Sequence, residues 1–278
     1  MKRILTIQDI SCVGKCSLTV ALPIISAFGI EAGILPTATL STHTAFKGFT
    51  FRDLTEDMTP ITNHWANENI DFDGIYTGYL GSSPQIDLVL DIFKRFGEGK
   101  IKFVDPAMGD NGKLYPAFDM AFAHKMAELC AKADIIMPNM TEAAFMLDIP
   151  YEEKPTRETV YAVLKKLTAL GAKKAMLTGV GFDDEHLGVV LYDSVEDRYF
   201  EYFNRAIPAK YHGTGDIFSS CVVGGLMADK SLEESAALAA DFTSESIRIT
   251  LEDKGPHWYG VHFEQVIPML TKRLSENN

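Results

Sequence analysis

The sequence lacks the short motifs that would assign a common enzyme class directly. Gly14-Lys15 is followed by Cys16 and has no upstream glycine, so a G-x-x-x-x-G-K-[ST] phosphate-binding loop is excluded. The seven histidines show no H-E-x-x-H or other metal-binding spacing, and no G-x-S-x-G nucleophile elbow is present. The motifs therefore give no sign of a P-loop, a histidine-ligated metal centre or a serine nucleophile.

Cysteines and long apolar runs are scarce as well. The four cysteines have no paired-motif spacing, and we interpret them as reduced thiols of a cytoplasmic protein. The apolar residues near the N-terminus are interrupted by Gln8-Asp9, far short of a signal sequence. No stretch approaches the roughly 18 apolar residues of a membrane span. We therefore expect neither secretion nor a membrane partner.

Clustered positive charge is also absent. The 278 residues include 38 acidic and 26 basic side chains, a formal charge of −12, and no basic run is longer than a pair such as Lys165-Lys166. Because nucleic acids and anionic membrane surfaces bind clustered Lys and Arg, neither is expected as a partner. An anionic substrate would be met locally, by backbone amides or by a bound cation.

The sequence does contain alternating strand-like and helical segments, a pattern typical of a parallel sheet covered by helices. With 46% hydrophobic residues the chain can bury a large core, and we predict a single α/β domain over residues 1–278. A Thr-rich segment at 37–53 has no helical period and is predicted to form a flap of strands over the sheet. The predicted strands are residues 3–7, 31–35, 74–77, 101–104, 135–137, 174–178, 187–192 and 198–203. Helices are predicted near residues 18–28, 84–96, 117–131, 141–147, 156–170, 232–249 and 263–274, and a further one begins after Gly213.

Oxygen-bearing side chains follow two of these predicted strands. Asp105 and Asp110 follow one strand, and Asn139 and Glu142 follow the next. Because ligands of open α/β sheets bind beyond the carboxyl ends of the strands, we expect these side chains to converge on one crevice and to bind Mg²⁺. Ordinary turns at Asp-Pro and Gly-Asp, and a helix start with an acidic first turn, are the alternatives.

Two glycine-bearing strand ends are further candidates for ligand contact. Tyr79 lies between Gly78 and Gly81 and is well placed against a flat ligand, while a buried tyrosine with a satisfied hydroxyl is the alternative. Thr178 precedes Gly179, which allows close approach to a phosphate, while a plain turn is the alternative.

The most informative stretch is His212-Gly213-Thr214-Gly215-Asp216, which is followed by small and apolar residues. Two glycines flanking a threonine let successive N–H groups point at one spot, and the helix dipole adds positive potential there. We expect this dipole to keep Asp216 ionised near neutral pH, so that it can accept a hydroxyl proton beside a bound phosphate. These groups suit a small-molecule kinase. A glycine loop with an ordinary N-terminal aspartate is the alternative.

Four motifs together resemble those of the pyridoxal kinases, the vitamin B6 kinases of the ribokinase-like superfamily. They are Gly78-Tyr79-Leu80-Gly81, Asp105-Pro106-Ala107-Met108-Gly109-Asp110, Pro138-Asn139 with Glu142, and Gly213-Thr214-Gly215-Asp216. Each motif is weak alone, but the four in this order are specific, and the resemblance covers nearly the whole chain. It implies a three-layer α/β fold, usually a homodimer, that transfers the γ-phosphoryl group of MgATP to the 5′-hydroxymethyl group of pyridoxal, pyridoxine or pyridoxamine.

The resemblance also implies roles for individual residues. Asp216 matches the catalytic base, and the amides of Gly213, Thr214 and Gly215 match the anion hole. A potassium requirement is common in the family, but the matched motifs do not indicate the residues that bind it. The residues that match positions near Mg²⁺ and the triphosphate are Asp105, Asp110, Asn139 and Glu142, with Asp105, Asp110 and Glu142 as candidate metal ligands.

Further matches extend to both substrates. Thr178 matches a phosphate-contacting threonine, and Tyr115 resembles a tyrosine of the flexible loop that closes over ATP. Thr44 and Tyr79 match positions that line the pyridine site, where Asp9 replaces a serine common in the family. That replacement keeps hydroxymethylpyrimidine kinase activity as the alternative function. A non-catalytic nucleotide or vitamin sensor is a third possibility, since fold does not fix function.

Asp9 carries a hypothesis of its own. An ionised carboxylate in a partly dry pocket requires a positive partner, and Lys15 and Lys47 are candidates if their loops fold inward. The amine of pyridoxamine would supply the same charge, so Asp9 is predicted to favour that vitamer. A role in capping a turn is the alternative.

Overall fold

The computed structural model describes residues 1–275. The strands are β1 (Arg3–Val13), β2 (Glu31–Thr42), β3 (Phe51–Asp53), β4 (Gly74–Thr77), β5 (Ile101–Val104), β6 (Gly109–Asp110), β7 (Lys113–Leu114), β8 (Ile135–Ile136), β9 (Lys174–Val180), β10 (His186–Asp193) and β11 (Arg198–Arg205). The α-helices are α1 (Leu18–Ala27), α2 (Thr55–Asn67), α3 (Ser83–Phe96), α4 (Met120–Cys130), α5 (Met140–Met146), α6 (Arg157–Ala169), α7 (Thr214–Met227), α8 (Leu232–Glu252) and α9 (Ile267–Ser275).

Nine of the strands form one sheet, in the order β11-β10-β9-β8-β5-β4-β1-β2-β3. The six strands from β9 to β2 pair in parallel, whereas β3 at one edge and the β10–β11 hairpin at the other pair antiparallel. The predicted α/β class with a mostly parallel sheet is confirmed. Because the inner strands are parallel, their carboxyl ends, and the loops that follow them, meet at one edge of the sheet.

The side chains of the central strands alternate between two hydrophobic cores, one on each face of the sheet. Leu5 and Ile75 pack with α3, α4 and α6, whereas Ile4 and Tyr76 pack with α1, α7 and α8. Burial on both faces explains why these strands have nearly continuous apolar sequences. The result is the three-layer arrangement that the resemblance implied.

The segment at 37–53 was predicted as a flap of strands over the sheet, but it extends the edge of the sheet instead: it comprises the end of β2, a turn and β3. The name flap is kept for these residues. Residues Ala38 to Leu40 of β2 pair antiparallel with β3, while β1 continues beside β2 as far as Val13. The predicted strand at 31–35 is therefore too short. Pro36 does not end β2, because β3 pairs only with later residues and the proline lies on an open edge, where its missing N–H costs no ladder hydrogen bond.

Two helical segments differ from the expectation. The sequence pattern indicated no helix between residues 54 and 73, yet α2 forms there. It buries only Met58 and Thr62, so its apolar period is weak. The last predicted helix, near 263–274, is divided into a 3₁₀ turn at Phe263–Gln265 and α9, whose second residue is Pro268.

All four cysteines are free thiols, as expected, and only Cys12 is exposed. Within residues 1–275, no helix combines the length and the apolar character needed to cross a membrane.

Candidate active site

The loop before α7 forms the centre of the site. Gly213 adopts a left-handed φ of 80° and caps the helix. A β-carbon on Gly213 would lie 1.7 Å from the carbonyl oxygen of Lys15, so only glycine fits this approach. Thr214 and Gly215 begin the helix, where backbone N–H groups have no helical partner, and the space beside Gly215 is open. The first turn of α7 can therefore bind an anion.

Asp216 lies in this first turn, half-buried, and its carboxylate accepts a hydrogen bond from the Ser17 amide. Desolvation, reinforced by repulsion from Asp105, raises the pKa of Asp216 to about 7. In the protein without bound cations Asp216 is therefore only partly ionised at neutral pH, and the expectation that the helix dipole keeps it ionised there is not met, since desolvation outweighs the dipole. A pKa near neutrality is well matched to accepting a proton from an alcohol.

Two more carboxyl groups, Asp105 and Glu142, are buried at the same edge of the sheet. Asp105 follows β5 and accepts a 2.7 Å hydrogen bond from Ser219 Oγ of α7. Burial raises the pKa of Asp105 to about 6, and burial together with repulsion from Asp105 raises the pKa of Glu142. The structure thus brings together three carboxyl groups that lie far apart in the sequence, Asp105, Glu142 and Asp216.

Asn139 and Glu142 also cap α5. Asn139 Oδ1 accepts from the Glu142 amide at 2.9 Å, and Glu142 Oε2 accepts from the Asn139 amide at 2.8 Å. Asn139 Nδ2 donates to the carbonyl of Gly109 at 2.9 Å, and Thr178 of β9 is its bridge partner. The helix start is therefore present for this pair, and it places Glu142 in the carboxylate cluster with Asn139 beside it.

Asp110 and Tyr115 lie at the β6–β7 hairpin. Asp110 is exposed and accepts hydrogen bonds of 2.8 and 2.6 Å from the backbone and side chain of Asn111. Lys210 Nζ donates to Asn111 Oδ1 at 2.6 Å, which connects the hairpin to the segment before α7. Partial burial and the charge of Glu142 raise the pKa of the Tyr115 hydroxyl. Tyr115 is 40% exposed and follows the hairpin directly, close enough to Glu142 for the two to interact electrostatically, and Asp110 lies at the outer rim.

Asp9 is buried in β1, on the flap side of the site. Ser11 Oγ donates to Asp9 Oδ2 at 3.0 Å, and burial raises the pKa of Asp9 although the Ser17 hydroxyl also donates to it. The suggestion that Lys15 neutralises Asp9 is wrong, because Lys15 Nζ donates to Glu264 at 2.7 Å. Lys47 is exposed on the flap.

Of the two residues expected to line the pyridine site, only Tyr79 lies in the interior. It is half-buried, its ring lies 5.5 Å from that of Phe118, and burial together with the charge of Asp9 raises its pKa to about 12. Thr44 is exposed in the turn after β2, whereas its neighbour His43 is buried.

Sequence reasoning missed an aromatic cluster around His43. The His43 ring lies 4.9 Å from those of Phe46 and His212 and 6.1 Å from that of Trp258. Its Nε2 lies 3.0 Å from the carbonyl of Tyr259, and burial lowers the pKa of His43, which favours a neutral ring. The aromatic enrichment of residues 43–51 and 258–259 was the available signal, but the sequence does not show that these segments meet.

Ser17 was missed as well. It is a non-glycine residue with a φ of 52°, a strained conformation, and it donates to both Asp9 and Asp216.

The electrostatics of the site suit a divalent cation. None of the ion pairs within residues 1–275 involves Asp9, Asp105, Glu142 or Asp216. Buried carboxylates that repel one another without a positive partner are costly, and Mg²⁺ prefers carboxylate oxygens as ligands. The residues present therefore fit the expected ion.

The fold and this site together define a class. An anion-binding helix start, a carboxyl group placed as a base and a carboxylate pair at the ends of parallel strands are the features of an ATP-dependent small-molecule kinase with a ribokinase-like fold.

Similarity to known proteins identifies the family of this chain. A family model described as phosphomethylpyrimidine kinase matches residues 32–259. A Bacteroides thetaiotaomicron protein, provisionally assigned as a phosphomethylpyrimidine kinase and solved with pyridoxal, is 38% identical, with a TM-score of 0.92 over 97% of this chain and 95% of that one. The pyridoxal kinase of Lactobacillus plantarum is 28% identical, with a TM-score of 0.90 over 99% of both chains. The pyridoxal kinase of Dictyostelium discoideum is 26% identical over 80% of this chain and 77% of that protein.

The chain belongs to the phosphomethylpyrimidine kinase family, and the predicted membership of its vitamin B6 kinase branch is confirmed. The protein is a kinase, so the sensor alternative is not favoured.

The close approach at Gly213 yields a first prediction. Gly213→Ala is expected to destabilise the protein by at least about 2 kcal/mol, because the new methyl group collides with the Lys15 carbonyl at a positive φ. Gly215→Ala, which adds a methyl group in open space within the same turn, is the matched control and should be neutral or slightly stabilising. Urea unfolding of both variants measures the difference, and equal stabilities would contradict the steric argument.

The raised pKa of Asp216 yields a second prediction. Its folded-state pKa of about 7 exceeds the unfolded value of 3.8, so the folded protein binds the proton more tightly, and the carboxyl group costs stability as pH rises through this interval. In metal-free buffer, Asp216→Asn should therefore be more stable than wild type by on the order of 2 kcal/mol near pH 8, with a smaller gain near pH 5.

The matched control is Asp57→Asn, which removes an exposed carboxylate from α2. This control should not reproduce the gain in stability near pH 8 that is expected of Asp216→Asn. A pH-independent difference for Asp216→Asn would show that Asp216 ionises normally.

Proposed function

We propose that this kinase transfers the γ-phosphoryl group of ATP to the 5′-hydroxymethyl group of a B6 vitamer, in the salvage of pyridoxal 5′-phosphate. The observation that carries the proposal is the likeness, over nearly the whole chain, to a protein solved with pyridoxal. The similarity to named pyridoxal and pyridoxine kinases supports it. The site also supports the proposal, because the first turn of α7 contains both an anion-binding cradle and the candidate base Asp216.

In the proposed mechanism, Asp216 accepts the proton of the vitamer hydroxyl as its oxygen attacks the γ-phosphorus. The bond to the β-phosphate oxygen breaks, and ADP leaves. The amides at Gly213, Thr214 and Gly215 donate to the oxygens on which charge accumulates. Because phosphoryl transfer depends on position and charge neutralisation, the rigid cap at Gly213 matters as much as the base.

Asp105 and Glu142 would hold Mg²⁺, with Asp110 at the outer rim. The ion supplies charge neutralisation for the triphosphate. Asn139 and Thr178, at the ends of neighbouring strands, would contact phosphate oxygens, and Tyr115, which follows the hairpin, would close over the nucleotide. Potassium use, a homodimer and a cytoplasmic location remain part of the proposal. Light scattering of the purified protein tests the dimer.

Hydroxymethylpyrimidine phosphorylation is the competing function, because the matching family model is described as phosphomethylpyrimidine kinase. Both acceptors are flat heteroaromatic alcohols, and the base and the anion cradle would serve either. The test is ADP formation by the purified protein with MgATP and each of pyridoxal, pyridoxine, pyridoxamine and hydroxymethylpyrimidine. A kcat/KM for hydroxymethylpyrimidine above that for every B6 vitamer would overturn the proposal.

The role of Asp216 gives a third prediction. Asp216→Asn should lower kcat by roughly 10² to 10⁴, the usual contribution of a positioned base, while vitamer binding measured by calorimetry stays nearly unchanged. Turnover within a few-fold of wild type would mean that Asp216 only caps the helix. Asp57→Asn again serves as the control, because it removes an exposed carboxylate from α2.

The surroundings of Asp9 favour a vitamer that carries a positive charge. It is buried, its contacts are the hydroxyl groups of Ser11 and Ser17, and the nearby Lys15 is committed to Glu264. A cationic group on the substrate would relieve the cost of this buried carboxyl, and pyridoxamine carries an amine that is cationic near neutral pH. Asp9 is therefore proposed to select pyridoxamine.

Asp9→Ser is the fourth prediction. A charge-assisted hydrogen bond contributes roughly 1.5–3 kcal/mol, so the ratio of kcat/KM for pyridoxamine to that for pyridoxal should fall by about one to two orders of magnitude. The value for pyridoxal itself should change little. An unchanged ratio would leave Asp9 as a structural residue that organises the turn at Ser17.

A further inference from the structure

The segment between α8 and the 3₁₀ turn brings together a carboxylate and two imidazoles. Ligand atoms of Asp253, His257 and His262 all lie within 4.8 Å of one another. Asp253 Oδ2 is 2.9 Å from His257 Nε2 and 3.2 Å from His262 Nε2, and the two imidazole rings are 4.0 Å apart. We infer that this cluster is a binding site for a transition-metal ion of the Zn²⁺ type, separate from the Mg²⁺ expected at the buried carboxylates.

The spacing of the three atoms suits such an ion. In a tetrahedral site with bonds of about 2.0–2.1 Å, ligand atoms lie roughly 3.3 Å apart, close to the observed separations from Asp253 Oδ2. His257 Nε2 is buried, and no acceptor in residues 1–275 meets the angular requirement of a hydrogen bond to it. The nearby carboxylate oxygen therefore lies off the axis of this nitrogen. Two imidazoles and one carboxylate favour Zn²⁺, Co²⁺ or Ni²⁺ over Mg²⁺.

The surroundings hold the ligands in place and leave an entrance. The Gly255 amide donates to Asp253 Oδ1 at 2.9 Å, which leaves Oδ2 free to face both histidines. A β-carbon on Gly255 would lie 2.5 Å from His257 Nε2, so the absence of a side chain there makes room for the imidazole. The Asp253 side chain is 47% exposed, so an ion can enter from solvent, and water can complete the coordination.

Lys15 is the group whose contact with His262 would be lost when a metal binds. Its Nζ lies 3.4 Å from His262 Nδ1, a long contact compared with its 2.7 Å bond to Glu264. When His262 Nε2 binds a metal, Nδ1 carries the proton, and Lys15 keeps its carboxylate partner instead. No other polar contact to His262 Nε2 besides Asp253 is present among the described residues.

The position of the cluster gives the ion a structural consequence. Trp258 and Tyr259 lie between the two histidines in the sequence, and both contact the flap. The Trp258 ring is 4.5 Å from that of Phe46, and the Tyr259 carbonyl bonds His43. A bound ion would therefore restrain the segment that packs on the flap side of the candidate active site.

The test is direct metal binding by the full chain, in a Cys12→Ser background that removes the exposed thiol. Calorimetry with Zn²⁺ in the presence of millimolar Mg²⁺ is expected to show one site per chain. His257→Gln and His262→Gln should each weaken Zn²⁺ binding at least about 100-fold. His124→Gln and His186→Gln are the matched controls, because each of these exposed histidines pairs with a single aspartate, and they should leave the affinity unchanged.

Co²⁺ spectra and Trp258 emission keep the result interpretable if a variant folds poorly. The wild-type chain should give ligand-field bands without a thiolate charge-transfer band, and Zn²⁺ should change the emission of Trp258. Absence of Zn²⁺ binding, equal affinity in the His257 and His262 variants, or equal loss in the control variants would overturn the assignment. None of these readouts depends on kinase activity, so they leave the proposed function untouched.

Discussion

The mutual repulsion of desolvated carboxyl groups is the constraint on which the site depends. Asp105, Glu142 and Asp216 come from three different elements, and the parallel sheet brings them to the same edge. Each is desolvated there, so the folded chain holds charge that it cannot neutralise by its own ion pairs. This cost to stability is what makes the site attractive to a divalent cation and to the polyphosphate that accompanies it. The same desolvation moves the pKa of Asp216 into the range in which a carboxyl group can exchange a proton with an alcohol.

Ser17 joins the two ends of this arrangement. Its hydroxyl donates to Asp9 and its amide donates to Asp216, so one residue contacts the carboxyl group on the flap side and the base on the phosphate side. It does so in a strained backbone conformation, directly before α1. The preceding Lys15 carbonyl meets Gly213, which fixes the loop against the start of α7. The strain at Ser17 and the glycine at 213 are thus two parts of one close contact between helix starts.

Much of the fold could be predicted from the sequence, because the inner strands are buried on both faces and have nearly continuous apolar runs. α2 could not, since it covers the sheet with only two buried residues and is otherwise polar. The extent of β2 was missed because proline normally ends a strand, and only the pairing of β3 shows that Pro36 lies on an open edge. Local periodicity cannot report which edge of a strand is free.

Some features of the candidate site could likewise be predicted from the sequence, and others could not. Asp105, Asn139 and Asp216 could be identified as site residues from the sequence, because each lies at the end of a strand or the start of a helix. The upward shift in the pKa of Asp216 could not be predicted in the same way. The helix dipole is a local effect, whereas desolvation and the charge of Asp105 depend on the tertiary fold. The cluster of Asp253, His257 and His262 shows the limit most clearly. Spacings of four and five residues form no recognised metal motif, and the three atoms meet only because the chain after α8 turns back on itself through Gly255 and Gly260. A turn built from short-range hydrogen bonds can therefore create a set of ligands that periodicity and motif matching do not detect.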